Sequence, residues 1–220
     1  MRQRIKKNRD ERFNNCIEFE ATFDKDNFSD LYKGKIINLE IGSGKGGFIT
    51  QLAKNYPDEM FFAVERSKDC ILMGMEKAKN LELENVLFIN KDANKLFELF
   101  APKCVDKLYL NFSDPWPKSS HAKRRLTHRR MLCHFIPLLK DNSLIQFKTD
   151  NDSLFDFSLE EFKDLGFDIK FLTYDLHSED IENYMTEYET RFTGLGVKIK
   201  CFKAILTDKA RENISKVTKI

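Results

Sequence analysis

The sequence predicts an α/β fold: a mostly parallel sheet, helices on both of its faces, and an antiparallel edge strand. Two observations carry this. Seven apolar runs of strand length alternate with stretches whose apolar residues recur at helical spacing. The first five runs are almost continuously apolar, as parallel strands buried on both faces must be, whereas the last two alternate, as antiparallel strands do.

Taken in order, Ile36-Ile37-Asn38-Leu39-Glu40-Ile41 reads as a buried strand ending in a glycine-rich turn. A helix starts near Gly47, turns Phe48, Ile49, Leu52 and Ala53 inward, and stops before Pro57. Met60 to Val64 is the second strand, and Ile71, Met75 and Ala78 form one stripe of the next helix. Val86 to Ile89 and Leu108 to Phe112 are the third and fourth strands. Leu132, Phe135, Ile136 and Leu139 mark a helix, Leu144 to Phe147 a fifth strand, and Phe155, Leu159 and Phe162 a helix closed by Gly166. The runs Phe167 to Leu176 and Val197 to Leu206 are expected to pair antiparallel, with an insertion at 177–196 between them.

The 220 residues, 41% of them hydrophobic, suffice for one domain, read here as 31–220. Residues 1–30 read as a basic, mobile arm, with Arg2, Arg4, Lys6, Lys7, Arg9 and Arg12 near its start. No apolar stretch of signal or membrane-spanning length occurs, which points to a cytoplasmic chain with no membrane partner. Cys16, Cys70, Cys104, Cys133 and Cys201 are odd in number and never in a CxxC pair, so reduced thiols are expected. His121, His128, His134 and His177 show no metal-ligand spacing, and no metal is expected. The formal charge is only +2, so contact with a nucleic acid must come from local patches. Monomer and homodimer both remain open.

Ligands of such folds bind where the strands end. Gly42-Ser43-Gly44-Lys45-Gly46 follows the first strand, and its glycines allow a tight turn and close approach of a ligand. The spacing differs from the GxGxxG of dinucleotide folds. Glu65 ends the second strand, where an acid can accept from both hydroxyls of a ribose, and Asp92 follows the third, placed to accept from an adenine amino group. With Glu40 these acids disfavour a pyrophosphate and suit a cationic ligand. S-adenosyl-L-methionine, with a sulfonium, an ammonium and no phosphate, meets that requirement.

After the fourth strand comes Phe112-Ser113-Asp114-Pro115-Trp116-Pro117-Lys118, then Lys123-Arg124-Arg125-Leu126. A carboxylate stands beside the only tryptophan in a loop stiffened by two prolines, followed by cations. This is what a nucleobase on a phosphate chain would require. Trp116 is placed either to stack on the base or to brace the loop.

These blocks, with Lys148-Thr149-Asp150 and Thr186-Glu187-Tyr188-Glu189, give the chain a specific resemblance. From about Leu39 to Leu206 it resembles the bacterial tRNA (guanine-N7-)-methyltransferases, of the class I Rossmann-like methyltransferase fold. Met1-Arg2-Gln3-Arg4 is also similar to the family's start. The resemblance implies methyl transfer from S-adenosyl-L-methionine to guanine N7 in the variable loop of tRNA. It implies that Glu40, Gly42, Gly44, Glu65, Asp92 and Asp114 bind the cofactor, Asp114 also being catalytic. It further implies that Lys118, Asp150, Thr186, Glu187, Tyr188 and Glu189 hold the substrate, and that Ser120, His121, Ala122, Lys123, Arg124 and Arg125 touch RNA. The family usually continues with basic residues after Lys118, where this chain has Ser119 and Ser120.

Lys123, Arg124 and Arg125 are expected to open a helix and to meet phosphates rather than bases. Guanine presents two adjacent donors, N1–H and the exocyclic amine, which Glu189 or Asp150 is expected to accept. Two rival readings are methyl transfer to another RNA or to protein, and a non-catalytic RNA-binding module on the same fold. The Asp-Pro-Trp-Pro-Lys block argues against the first, since amine-methylating relatives resemble Asn/Asp-Pro-Pro-Tyr there. The intact Gly42, Gly44, Glu65, Asp92 and Asp114 argue against the second.

Overall fold

Period-two alternation decides which face of a strand is apolar, and in the computed structural model, which describes residues 8–217, it builds one seven-stranded sheet. In chain order the elements are α1 (Arg9–Asn14), α2 (Phe28–Leu31), β1 (Ile37–Ile41), α3 (Gly47–Asn55), β2 (Met60–Val64), α4 (Lys68–Asn80), β3 (Val86–Ile89) and β4 (Val105–Asn111). Then follow α5 (Arg129–Phe135), β5 (Leu139–Thr149), α6 (Asp152–Leu165), β6 (Asp168–Thr173), α7 (Glu187–Thr193), β7 (Lys200–Ile205) and α8 (Asp208–Val217). The strand order is β3-β2-β1-β4-β5-β7-β6. The first five strands are parallel, and β7 runs antiparallel to both β5 and β6. The reversed strand thus sits one place in from the edge, and β6 closes the sheet.

The two faces differ in chemistry. On one, Leu39, Phe62, Leu108 and Phe147 pack against Leu132 and Phe135 of α5, Phe155 and Phe162 of α6, and Ile214 of α8. On the other, α3 and α4 cover Phe61, Ala63 and Phe88 with Phe48, Leu52, Ile71 and Met75. That second face is polar at its centre: Asn38 and Glu40 of β1 are in register with Lys107 and Tyr109 of β4, which align with Leu144 and Gln146 of β5. Asn111 and Lys148 continue the same rows towards the strand ends.

Three differences from the expectations have local causes. The helix containing Leu132 and Phe135 stops at Phe135 and tightens into a 3-10 turn, Ile136–Leu138, because Pro137 has no N–H to donate; Leu139 opens β5 instead. Helix α8 was not expected, since only Ala210 and Ile214 of its face are buried. Most of the expected arm is part of the fold. Arg12 of α1 forks onto Glu76 of α4 at 2.7 and 2.6 Å, and Ala21 N–H donates to Phe88 O at 3.0 Å. Phe23 and Phe28 pack edge-on and tilted against Phe62 and Phe100, with centroids 5.0–5.6 Å apart. Arg2, Arg4, Lys6 and Lys7 lie outside the described residues.

A buried ring cluster of this kind is worth several kcal/mol. Phe28→Ala is expected to lower the unfolding free energy by about 3–5 kcal/mol, read as a lower urea midpoint. A value within about 0.5 kcal/mol of wild type would return residues 23–30 to the status of a detached arm.

Candidate active site

The chain leaves β1 through Gly42 and Gly44, whose φ angles of 81° and 55° suit glycine. The N–H groups of Gly42 and Ser43 donate to Val64 O at 2.8 and 3.1 Å, curling the loop over the end of β2. Glu65, the next residue, accepts from Gly44 N–H at 3.2 Å and Ser67 N–H at 2.9 Å. Each carboxylate oxygen thus takes one backbone donor, which fixes the group and leaves further lone pairs for a ligand. Asp92 caps the turn after β3 by accepting from Asn94 N–H at 3.0 Å, with the Arg66 guanidinium 3.7 Å away.

Across a cavity of about 620 Å³ stands the loop that follows β4. Gly42, Glu65, Asp92, Asp114, Trp116 and Arg124 all line this space. Asp114 is exposed, and its carboxylate makes no hydrogen bond or ion pair among the described residues. Phe112 and Trp116, two positions to either side, hold φ angles of 51° and 41°, which bulky side chains rarely adopt. Their surroundings impose this. Phe112 N–H donates to Lys148 O at 2.9 Å, and the Arg125 guanidinium donates to Pro115 O at 3.0 Å and Trp116 O at 3.2 Å while lying 4.4 Å over Phe157.

The basic cluster therefore divides. Residues Ser119–Arg124 form a 3-10 turn and α5 opens only at Arg129, so Lys123, Arg124 and Arg125 do not begin a helix. Arg125 is buried and occupied in bracing the loop, which removes it from the expected set of phosphate contacts. Lys118, Lys123 and Arg124 remain exposed, Arg124 lying 4.9 Å over the Trp116 ring, with Ser120 exposed and His121 edge-on to that ring at 5.7 Å beside Ala122. The tryptophan is thus sandwiched within its own loop and forms a wall of the cavity.

Glu40 stands apart from that cavity. Its carboxyl lies on the polar face of the sheet, 1% exposed, with Oε1 accepting from Asn111 Nδ2 at 3.0 Å. Glu40 Oε2, Ser43 Oγ, Asn111 Oδ1 and Ser113 Oγ are all buried without a partner among the described residues. Four such orphans at the ends of two neighbouring strands mark a place built for a polar ligand group. Burial pushes the Glu40 carboxyl up to about 7; Glu187 and Glu65 push the same way, against Asn111 and Lys148.

The substrate residues expected at 186–189 share the first turn of α7 and point in different directions. Thr186 Oγ1 caps the helix by accepting from Glu189 N–H at 2.9 Å. Glu187 pairs with Lys77 and lies against the glycine loop, where a Cβ on Gly47 would sit 2.5 Å from its carboxyl carbon. Tyr188 stacks on Phe192 at 4.2 Å, faces Phe112 at 5.0 Å and donates to Asp150 at 3.0 Å. Glu189 turns into the protein. It is 0% exposed, 3.1 Å from the Lys148 ammonium, and accepts from Asn183 Nδ2 at 2.8 Å. A base edge has no access to it, so the expectation that Glu189 reads guanine falls, and Asp150 is the carboxylate left for that role. Lys148, Asn183 and Asn111 were missed as contributors. A lysine beside Phe147 in a buried strand was the available signal, because a charge there needs a partner.

A seven-stranded sheet with a reversed seventh strand, and a cavity at its carboxyl ends lined by Glu65, Asp92 and Asp114, defines a methyltransferase of the Rossmann-like class. Solved structures share the fold: the 16S rRNA methyltransferase KamB superposes with a TM-score of 0.66 at 15% identity, over 85% of this chain and 95% of that one. A SAM-dependent methyltransferase from Aquifex aeolicus gives 0.55 at 14% identity, over 92% and 100%. A family model described as "Putative methyltransferase" matches residues 34–202. Curated tRNA (guanine-N(7)-)-methyltransferases are much nearer in sequence. That of Lachnoclostridium phytofermentans is 46% identical over 73% of this chain and 76% of its own length; that of Halalkalibacterium halodurans is 40% identical over 80% and 81%. The chain belongs to the tRNA (guanine-N(7)-)-methyltransferase family.

The raised Glu40 value has a measurable consequence. A carboxyl whose folded value lies above its unfolded one stabilises the fold fully below the unfolded value, here 4.5, and loses that contribution as pH rises through about 7. Glu40→Gln, which cannot ionise, should therefore match wild-type stability at about pH 4 and exceed it near pH 8, by at most about 3 kcal/mol. Thermal unfolding at both pH values checks this; an equal offset at the two would show that Glu40 does not titrate there.

Proposed function

We propose that this protein methylates N7 of a guanine in the variable loop of tRNA, with S-adenosyl-L-methionine as donor. The observation that carries the reading is the unpartnered Asp114 carboxylate, held by a strained and braced loop across a cavity from Glu65 and Asp92. Chain membership in the family supplies the substrate class. The donor set fits the cofactor: Glu65 and Asp92 would hold its adenosine part, and the buried orphans around Glu40 and Asn111 its charged methionyl part. When bound, the cofactor supplies an electrophilic methyl group on a sulfonium.

Guanine N7 carries a free lone pair, so nothing needs to be deprotonated before attack. What the protein must supply is orientation and a counter-charge for a purine ring that becomes cationic. Asp114, with no partner of its own, supplies the charge. Asp150, oriented by the Tyr188 hydroxyl, is placed to accept from the guanine N1–H and amine, which adenine, with an acceptor at N1, cannot satisfy. Lys118, Lys123 and Arg124, unpaired by any acid among the described residues, offer three cations to the RNA backbone.

The direct test incubates the protein with isotopically labelled cofactor and either tRNA or ribosomal RNA, followed by nucleoside analysis. Labelled 7-methylguanosine from the variable loop is expected; label confined to ribosomal RNA would overturn the reading. Asp114→Asn should slow single-turnover methylation by about a hundredfold or more while tRNA affinity stays within a few-fold. A rate within a few-fold of wild type would exclude charge stabilisation by Asp114. Neutralising Lys118, Lys123 or Arg124 should each lower the salt slope of tRNA binding by about one. Arg125→Ala should instead cost thermal stability, because its guanidinium is spent on Pro115 and Trp116.

A further inference from the structure

The first turn of α7 touches both walls of the site, and the direction of each of its side chains is set by the rotation of the helix about its axis. Glu187 reaches the glycine loop at Gly47, and Tyr188 reaches Phe112 and Asp150. The helix has only seven residues, too few to hold its own geometry in water. Its inward residue, Glu189, is the one tied to the sheet. Both of its oxygens are used: Oε2 by the Lys148 ammonium at 3.1 Å, Oε1 by Asn183 at 2.8 Å with His177 Nε2 at 3.2 Å. The ammonium is likewise saturated, its other two protons going to Asn183 Oδ1 at 2.5 Å and Tyr184 O at 2.8 Å.

We propose that Lys148 and Glu189 are positioning residues: this buried pair fixes the rotation of α7, and through it the placement of Tyr188 on Asp150 and of Glu187 on the glycine loop. Neither residue meets the base. The inference rests on the methyl-transfer reading given above and refines how its site is held. Stability alone does not account for the pair, because a well-packed apolar pair of similar volume generally serves a core equally well or better. What apolar contact lacks is direction. The four hydrogen bonds made by the Lys148 ammonium and the Glu189 carboxylate have preferred angles, so they admit one rotation of the helix where apolar packing would tolerate several. The pair also joins elements distant in sequence, with β5 supplying the cation and the segment after β6 supplying every acceptor.

The test replaces the pair by an apolar one, Lys148→Met with Glu189→Leu, in the full chain. Folding, read by thermal unfolding, and cofactor affinity, read by calorimetry, should stay close to wild type. Amide hydrogen exchange in 183–193 should accelerate about tenfold or more. Single-turnover methylation of tRNA should fall about a hundredfold, the cost of misplacing a reacting group by about an ångström, with tRNA affinity within a few-fold. Should the double variant not fold, Glu189→Gln, which keeps a neutral acceptor for Lys148, is expected to show the same pattern at reduced size. Unchanged exchange and an unchanged rate in the variant that folds would overturn the proposal. So would a Glu189→Gln enzyme with wild-type exchange that no longer distinguishes guanosine from inosine at the target, since that is the signature of direct reading. If wild type methylates no tRNA, the functional reading fails, and exchange in 183–193 still decides whether the pair orders α7.

Discussion

A charged amine in the middle of a sheet covered on both faces imposes more on this protein than any other single group. Lys148 lies in β5 between Phe147 and Thr149, and its side chain is 2% exposed. Burial pulls the ammonium below the ordinary lysine value, while the Glu189 carboxylate holds it up. An unpaired charge there would cost several kcal/mol, so some other part of the chain has to come to it. That part is the segment between β6 and β7. The connection that could have been a short hairpin turn is instead a long excursion that lays Asn183, Tyr184 and Glu189 over the polar rows of the sheet. The roof of the site follows from satisfying one cation.

The sheet itself is divided in labour. Its apolar face, packed by phenylalanines from α2, α5 and α6, carries the hydrophobic stabilisation. Its other face sacrifices apolar burial at Asn38, Glu40, Asn111, Gln146 and Lys148, and this is where orphaned polar atoms and the perturbed carboxyl gather. The strained φ angles at Phe112 and Trp116 belong to the same economy. Each costs of order 1–3 kcal/mol, and the hydrogen bonds from Phe112 N–H and the Arg125 guanidinium hold the loop where relaxation would withdraw Asp114 from the cavity.

Charge is sorted by place rather than by amount. Carboxylates gather where the strands end: Glu65, Asp92 and Asp114 line the cavity, and Glu40 lies buried on the polar face of the sheet. Many surface cations are already matched, Arg12 with Glu76, Lys107 with Glu59 and Arg129 with Glu161. Lys118, Lys123 and Arg124 are not, and they stand at the rim of the cavity or beside it. An almost neutral chain can thus present a basic rim to a polyanion and strand-end carboxylates to a cation.

What the sequence determined by itself was local and periodic. Apolar spacing located every strand and the four helices that flank the parallel strands, and it put the glycine loop, Glu65, Asp92 and Asp114 at strand ends, where they line one cavity. This was legible because periodicity decides which face of an element is buried, and because a parallel sheet puts all its carboxyl ends on one side. The tertiary structure alone decided which polar groups meet. Lys148 and Glu189 are 41 positions apart, and nothing local to either distinguishes a carboxylate that reads a base from one that neutralises a lysine. Arg125 likewise reads as one of three equivalent cations until the loop folds back on it, and Phe23 and Phe28 read as part of an arm until Phe62 and Phe100 offer them a surface. Secondary structure follows from the spacing of side chains along one segment, whereas burial and pairing depend on what distant segments bring, and that is fixed only when the chain closes on itself.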